Sequence, residues 1–130
     1  MAQKNILPHD HDALSRSIMD SIPDSDDLRR VAELMRQLGD PSRLRIFWIL
    51  CHVEECVINI AAMTEMSSPA VSHHLRILRS SGLITSRREG KEMYYRAADT
   101  PIARRLHHGV EEIMEIACPG SDAHKEEPHG

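Results

Sequence analysis

Three groups of side chains in this sequence have the types and spacings that chemistry needs. The first is His9-Asp10-His11-Asp12, two imidazoles and two carboxylates in four consecutive residues. The second is a set of thiols, Cys51, Cys56 and Cys118. An odd, small number of cysteines is no disulfide framework; such residues are buried thiols, metal ligands or redox sensors. Cys51 reads as core. The third group lies toward the carboxyl end. His108, Glu112 and Glu115 fall at i, i+4 and i+7 and so share one face of a helix, and His107 and Glu111 form a second i, i+4 pair. Two such helices packed antiparallel assemble a His/carboxylate metal site; a single one is equally a solvated charged face.

A different chemistry, the recognition of phosphate and base edges, is written in the middle of the chain. The net charge is −4, which looks wrong for a nucleic-acid binder until it is divided. Residues 1–27 hold six Asp against Lys4 and Arg16, whereas residues 67–96 hold six Lys and Arg against Glu89 and Glu92. Acidic ends hide a basic patch of the kind that phosphate binding requires. Within that patch Ser67 reads as a helix N-cap. On the helix behind it Ser68, Ser72, Arg76 and Arg79 share one side, and Ala70, Val71, His74, Leu75 and Leu78 share another. Gly82 ends the helix. The period then changes to two: residues 83–88 and 91–96 flank Glu89-Gly90, a β-hairpin with a basic rim of Arg87, Arg88 and Lys91.

The elements that must position these residues follow from length and periodicity. A chain of 130 residues holds one domain with tails. Residues 1–24 read as a polar, His/Asp-rich flexible arm, residues 25–118 as the folded domain and residues 119–130 as a disordered acidic tail. Apolar residues at three- and four-residue spacing predict a helix over about 26–38, stopped by Gly39. Asp40-Pro41 starts another, about 41–52, that buries Leu44, Leu50 and either Phe47 or Ile46. A short helix covers about 57–64 and the polar-faced helix about 68–80. A last helix begins with Asp99 or Thr100 as its cap and Pro101 near its start, and Ile102, Leu106, Gly109, Ile113 and Ile116 run along it at 4-3-4-3 spacing. A stripe that long packs economically on a second copy of itself, although packing on the domain's own first helix is the alternative. The fold class expected is therefore mainly α with a β-hairpin wing (α+β), a winged helix-turn-helix that forms a homodimer through its terminal helices. No apolar run reaches the roughly 18 residues of a membrane span, and the amino end lacks the basic and apolar regions of a signal peptide. A cytoplasmic protein with no membrane partner is expected.

That architecture suits duplex DNA. An α-helix fits the major groove, where Ser, His and Arg reach base edges or phosphates, and the hairpin offers Arg87, Arg88 and Lys91 to the flanking backbone. An enzyme is the first rival class. The His-Asp-His pattern is similar to that of metallohydrolases, but no nucleophile–base pair or Gly-rich phosphate loop accompanies it. A protein-interaction module is the second rival; it explains the apolar stripe and leaves the basic hairpin without a purpose.

Longer motifs sharpen the reading. Gly39-Asp40-Pro41-Ser42-Arg43-Leu44-Arg45-Ile46, then Ser68-Pro69-Ala70-Val71-Ser72-His73-His74-Leu75-Arg76-Ile77-Leu78, then Gly82-Leu83-Ile84 and Arg87-Arg88-Glu89-Gly90-Lys91-Glu92-Met93-Tyr94-Tyr95 resemble the ArsR/SmtB family of bacterial repressors, in the right order over about residues 26–117. The resemblance implies a homodimer that sits on an inverted-repeat operator in double-stranded DNA and lets go when an effector binds. It implies that Ser68, Ser72, His73 and Arg76 face the groove; the helical phase of His74 points instead to the core.

The resemblance also implies where an effector is sensed. Metal-sensing members hold ligands on the third helix with help from an amino-terminal arm, and across the paired last helices. At the first place this chain keeps Cys56, with Ile58 and Asn59 where a second thiolate and an Asp are usual, and its arm carries His9 and His11. Thiolate and imidazole together suit Zn2+ or Cd2+ as the effector. At the second, Asp99 and Glu115 fit the family pattern, while Pro101 and Glu112 stand where histidines are usual; His108, Glu112 and Glu115 are what remains there. Persulfide-sensing members pair a Cys at the position of Cys56 with one near the end of the last helix, which makes Cys56 and Cys118 a redox alternative.

Overall fold

The structure is a computed structural model that describes residues 7–9 and 12–120; His11 and the tail beyond residue 120 lie outside the described residues. The chain divides into two compact units, residues 1–35 and 36–130.

Asp12 begins the first helix, α1 (Ala13–Met19), by accepting the Ser15 backbone N–H at 2.9 Å. The sequence reading had only a flexible arm here. The helix is seven residues long and buries none of them, so little beyond its cap marks it. Helix α2 (Ser25–Gln37) follows, with Asp26 and Asp27 in its first turn, where they complement the helix dipole. Its apolar residues Leu28, Val31 and Met35 are exposed in the single chain, as are Leu14, Ile18 and Ile22.

In the second unit, Asp40 caps α3 (Pro41–His52) by accepting the Arg43 N–H at 2.9 Å, with Pro41 in the first turn. Both Ile46 and Phe47 are buried, along with Ile49 and Leu50. A two-residue strand, β1 (Glu55–Cys56), leads directly into α4 (Val57–Thr64), which ends at Glu65 in the left-handed conformation (φ 57°). Ser67 caps α5 (Ser68–Ser80) by accepting the Ala70 N–H at 3.2 Å. Gly82 then turns the chain at φ 78°, and the N–H of Leu83 bonds back to the carbonyl of Leu78 at 3.0 Å.

Strands β2 (Ile84–Glu89) and β3 (Glu92–Ala97) form the hairpin, and the antiparallel sheet has the order β1-β3-β2. Glu89 pairs with Glu92, so the loop is Gly90-Lys91 rather than the Glu89-Gly90 of the sequence reading. Gly90 explains the one-residue shift: it takes φ 65° at the first loop position, as primed two-residue turns require. Strand β1 went unforeseen, because two residues are too few to show a period of two; it pairs Glu55 with Tyr95 and Cys56 with Tyr94. Finally Thr100, not Asp99, caps α6 (Pro101–Ala117), accepting the Ala103 N–H at 3.2 Å.

The core of this unit lies among α3, α4, α5 and the sheet. Ile46, Phe47, Ile60, Val71, Leu75, Leu78, Leu83 and Ile84 are its largest fully buried side chains. These are aliphatic apart from one Phe, as the low aromatic content requires. Helix α6 contributes Ala103 to it.

Candidate nucleic-acid interface and effector residues

Helix α5 sorts its two faces cleanly. Val71, Leu75 and Leu78 are buried, and Ser68, His73, Arg76 and Arg79 are exposed, with Ser72 half-buried. Ser67 spends its hydroxyl on the cap at the start of the same helix. His74 lies at the base, its side chain only 13% exposed, with Nδ1 at 3.3 Å from Arg43 Nε and Nε2 at 3.8 Å from Asp40. Burial pushes its pKa below the ordinary histidine value, and Arg43 and His73 push the same way against the opposing pull of Asp40. It is a satisfied core histidine, as its helical phase predicts.

The wing divides its basic residues by pleat. Side chains alternate across a strand, so Arg87 and Arg88 project to opposite faces. Arg87 bonds both carboxylate oxygens of Glu54 at 2.8 and 2.9 Å and Glu89 at 2.6 Å, and it lies 5.1 Å from the ring centre of Tyr94 opposite. Those carboxylates raise its pKa further still. Arg87 is therefore occupied in bracing the wing against the α3–β1 turn. Arg88 shares its face with Ser86 and Ile84, the face to which Tyr95 belongs through the 86–95 pair. Tyr95 in turn lines a hollow of about 510 Å3 with Ser72, Arg76 and Arg79. Lys91 stands at the loop. Among the described residues Arg76, Arg79, Arg88 and Lys91 have no ion-pair partner. Four uncompensated cations thus lie on the reading helix and the wing that flanks it.

The effector residues are placed less closely together. His9 belongs to the first unit and Cys56 to the second, where Cys56 is a buried N-terminal residue of the α4 turn. Cys118 is exposed at the end of α6. Cys51 is half-buried, and burial together with the nearby charge of Glu111 pushes its thiol up to about 12, which keeps it inert at neutral pH. All three thiols are free. Asp99 is exposed and pairs with Arg104, while His108, Glu112 and Glu115 project into solvent from α6 and do not converge within one chain.

One group does converge, and sequence reasoning had only part of it. His107 and Glu111 on α6 meet His52, the last residue of α3. Glu111 Oε2 lies 3.1 Å from His107 Nε2, 3.4 Å from His52 Nε2 and 2.9 Å from the Trp48 indole N–H. Burial works to raise the Glu111 pKa, but the bonds from His107, Trp48 and His52 outweigh it and hold the carboxyl below its usual value. The i, i+4 spacing reveals the α6 pair. Nothing in the sequence links it to residues more than fifty positions earlier; only the packing of α3 on α6 does.

Three helices closed by a polar-faced reading helix and a basic two-stranded wing define a winged helix-turn-helix, the architecture of a DNA-binding regulator. Comparison with known proteins agrees. The family model described as bacterial regulatory protein, arsR family, matches residues 40–86. A transcriptional repressor SmtB homolog of Synechocystis sp. is 37% identical over 77% of this chain and 76% of its own. A cadmium resistance transcriptional regulatory protein, a CadC homolog of Staphylococcus aureus, is 33% identical over 69% of this chain and 75% of its own. Among solved structures, the homodimeric winged helix-turn-helix DNA-binding domain of a possible ArsR-family regulator from Mycobacterium bovis superposes with a TM-score of 0.63 at 33% identity, covering 72% of this chain and 88% of that one. The chain belongs to the arsR family; it is a DNA-binding transcription regulator and not an enzyme.

Proposed function

We propose that this protein is a cytoplasmic repressor that binds an inverted-repeat operator as a homodimer and is released by a divalent metal ion of the Zn2+ or Cd2+ type. The observation that carries the DNA half is the set of unpaired cations, Arg76, Arg79, Arg88 and Lys91, beside the polar groups of Ser68, Ser72 and His73. An anionic duplex satisfies them, and the base edges of a major groove match the hydrogen-bonding side chains between them. The dimer is supported by α6, whose Ile102, Ile113 and Ile116 are 50%, 63% and 80% exposed in the single chain, and by the homodimeric relative. An unpartnered stripe of this kind marks an interface.

The metal half rests on the cadmium-resistance relative and on the donor types present. Cys56 with His9 and His11 is the first ligand set, and Asp99, His108, Glu112 and Glu115 across paired α6 helices are the second. Cys56 and Cys118 as a thiol switch is the weaker reading, since one thiol is buried and the other exposed. Fluorescence anisotropy of a labelled fragment of the gene's own promoter, bound by reduced protein and titrated with Zn2+ and in parallel with Cd2+, tests the proposal. Release near one equivalent of metal, reversed by a chelator, is expected. A coupling of about 1–3 kcal/mol weakens DNA affinity about 5- to 150-fold. An intact complex at excess metal overturns the metal reading and leaves the DNA half standing.

A further inference from the structure

We propose that His52, His107 and Glu111 form a metal site within one chain, at the junction of α3 and α6, that takes a borderline divalent cation of the Zn2+, Co2+ and Ni2+ group. Three observations carry this. The first is distance. Zinc–ligand bonds of about 2.0–2.1 Å put the ligand atoms of a tetrahedral site about 3.3–3.4 Å apart. The Glu111 oxygen already stands 3.1 and 3.4 Å from the two imidazole nitrogens, and all three donor atoms lie within 4.8 Å of one another. One cation therefore fits with side-chain adjustments of tenths of an ångström.

The second is hydrogen-bond arithmetic. A carboxylate oxygen has two lone pairs. Glu111 Oε2 is approached by the Trp48 N–H and by both histidine nitrogens, three groups for two acceptor positions. At least one imidazole thus turns a lone pair, not a proton, toward the cluster, and a nitrogen lone pair beside a carboxylate is a ligand set in want of a cation. The third is support and access. Trp48 fixes the carboxylate from behind, the role that partners outside the ligand shell play in metal sites. The His52 ring lies against the Trp48 ring, centroids 4.1 Å apart, and meets the His107 ring edge-on at 5.0 Å. A hollow of about 340 Å3, lined by His52 and His107, opens beside them with room for a water as fourth ligand.

Two imidazoles and a carboxylate select the metal class: with no thiolate, borderline ions are preferred over soft Cd2+. The site differs from both ligand sets considered above. It uses neither Cys56 nor the arm, and it needs no second chain. Its placement suits a switch. Helix α3 packs on the reading helix α5 and α6 carries the exposed apolar stripe, so a cation here clamps the reading head to the surface proposed for dimerisation. That consequence rests on the repressor reading; the metal site itself does not.

The chain has one tryptophan, Trp48, which makes its fluorescence a local probe. The experiment titrates the full-length reduced protein with Co2+ and follows Trp48 emission, the visible d–d bands and the near-ultraviolet thiolate-to-cobalt band. His52→Gln and Glu111→Gln are titrated beside it, with far-ultraviolet circular dichroism as a check on folding. The expected result is quenching that saturates at one Co2+ per chain, d–d bands without a thiolate band for that equivalent, reversal by Zn2+, and at least about tenfold weaker binding in both variants. His52 ends its helix, so a change there leaves the fold in place. Tight binding that leaves Trp48 emission unchanged, or quenching of equal strength in the folded His52→Gln variant, overturns the proposal. Promoter binding measured on the same samples separates the two readings. Wild-type protein that quenches but holds no DNA refutes the repressor and keeps the site; protein that holds DNA but does not quench does the reverse.

Discussion

Arg76 and Arg87 belong to the same basic stretch of sequence, and the fold gives them different work. Arg76 is exposed on α5 without an ion-pair partner among the described residues, whereas Arg87 is already bonded to Glu54 and Glu89. Replacing Arg76 by Ala is expected to cost operator affinity about 1–3 kcal/mol, and less on unrelated DNA; equal losses on both would make it a phosphate contact only. Arg88→Ala is expected to weaken DNA binding more than Arg87→Ala, and competition assays that rank them the other way would refute the division of the wing by pleat. The sequence displays all three arginines alike. Which one is neutralised depends on Glu54 arriving from another element, and no local pattern encodes that. His74 was legible from its helical phase, and its environment makes a further prediction. Its folded pKa lies below the ordinary 6.5, so the unfolded chain takes up the proton first. Its contribution is complete above pH 6.5 and is lost as pH falls toward the depressed folded value. Urea midpoints of wild type and His74→Gln should diverge less at pH 5.5 than at pH 7.5, and a constant difference would contradict this.

At the scale of elements, the caps carried most of the legible information. Asp40, Ser67 and Thr100 each accept the N–H three residues on, and the helices they start were readable to within a residue because an N-cap is a local interaction. The hairpin was readable as to type but displaced by one residue, since alternation alone does not choose between two adjacent loop pairs and the positive φ of Gly90 does. Strand β1 and helix α1 were not readable: one is two residues long, and the other buries no side chain. The turn between α4 and α5 departs from the usual pattern. Glu65 holds φ 57° there, where a helix C-terminus more often places Gly. A non-glycine residue in that conformation costs about 1–2 kcal/mol, and glycine's greater freedom in the unfolded chain costs about 0.5–1 in return. Glu65→Gly is therefore expected to stabilise the protein by about 0.5 kcal/mol, read as a higher urea midpoint; a lower midpoint would show that Glu65 contributes something its backbone does not reveal.

For the whole molecule, the apolar stripe of α6 was visible in the sequence at heptad-like spacing, and the fold leaves Ile113 and Ile116 uncovered in the single chain. The paired substitution Ile113→Asp with Ile116→Asp is expected to yield a monomer by sedimentation while far-ultraviolet circular dichroism stays native, and to lose operator affinity because each half-site is then held alone. A dimer that survives would move the interface elsewhere. What the sequence could not display is how distant side chains gather: His52 meets His107 and Glu111 only because α3 and α6 pack, and the partition of net charge into acidic ends and a basic middle says nothing of which cations stay unpaired. The claim on which the account depends is that the unpaired cations of α5 and the wing hold duplex DNA, and the salt dependence of binding tests it most directly. With Arg76, Arg79, Arg88 and Lys91 from each of two protomers on phosphates, log Kd against log salt for the promoter duplex should have a slope of magnitude about 7, falling by about one unit per removed cation per protomer pair or more. A slope near zero, or one unchanged when Arg79 and Lys91 are both replaced by Ala, would contradict the account.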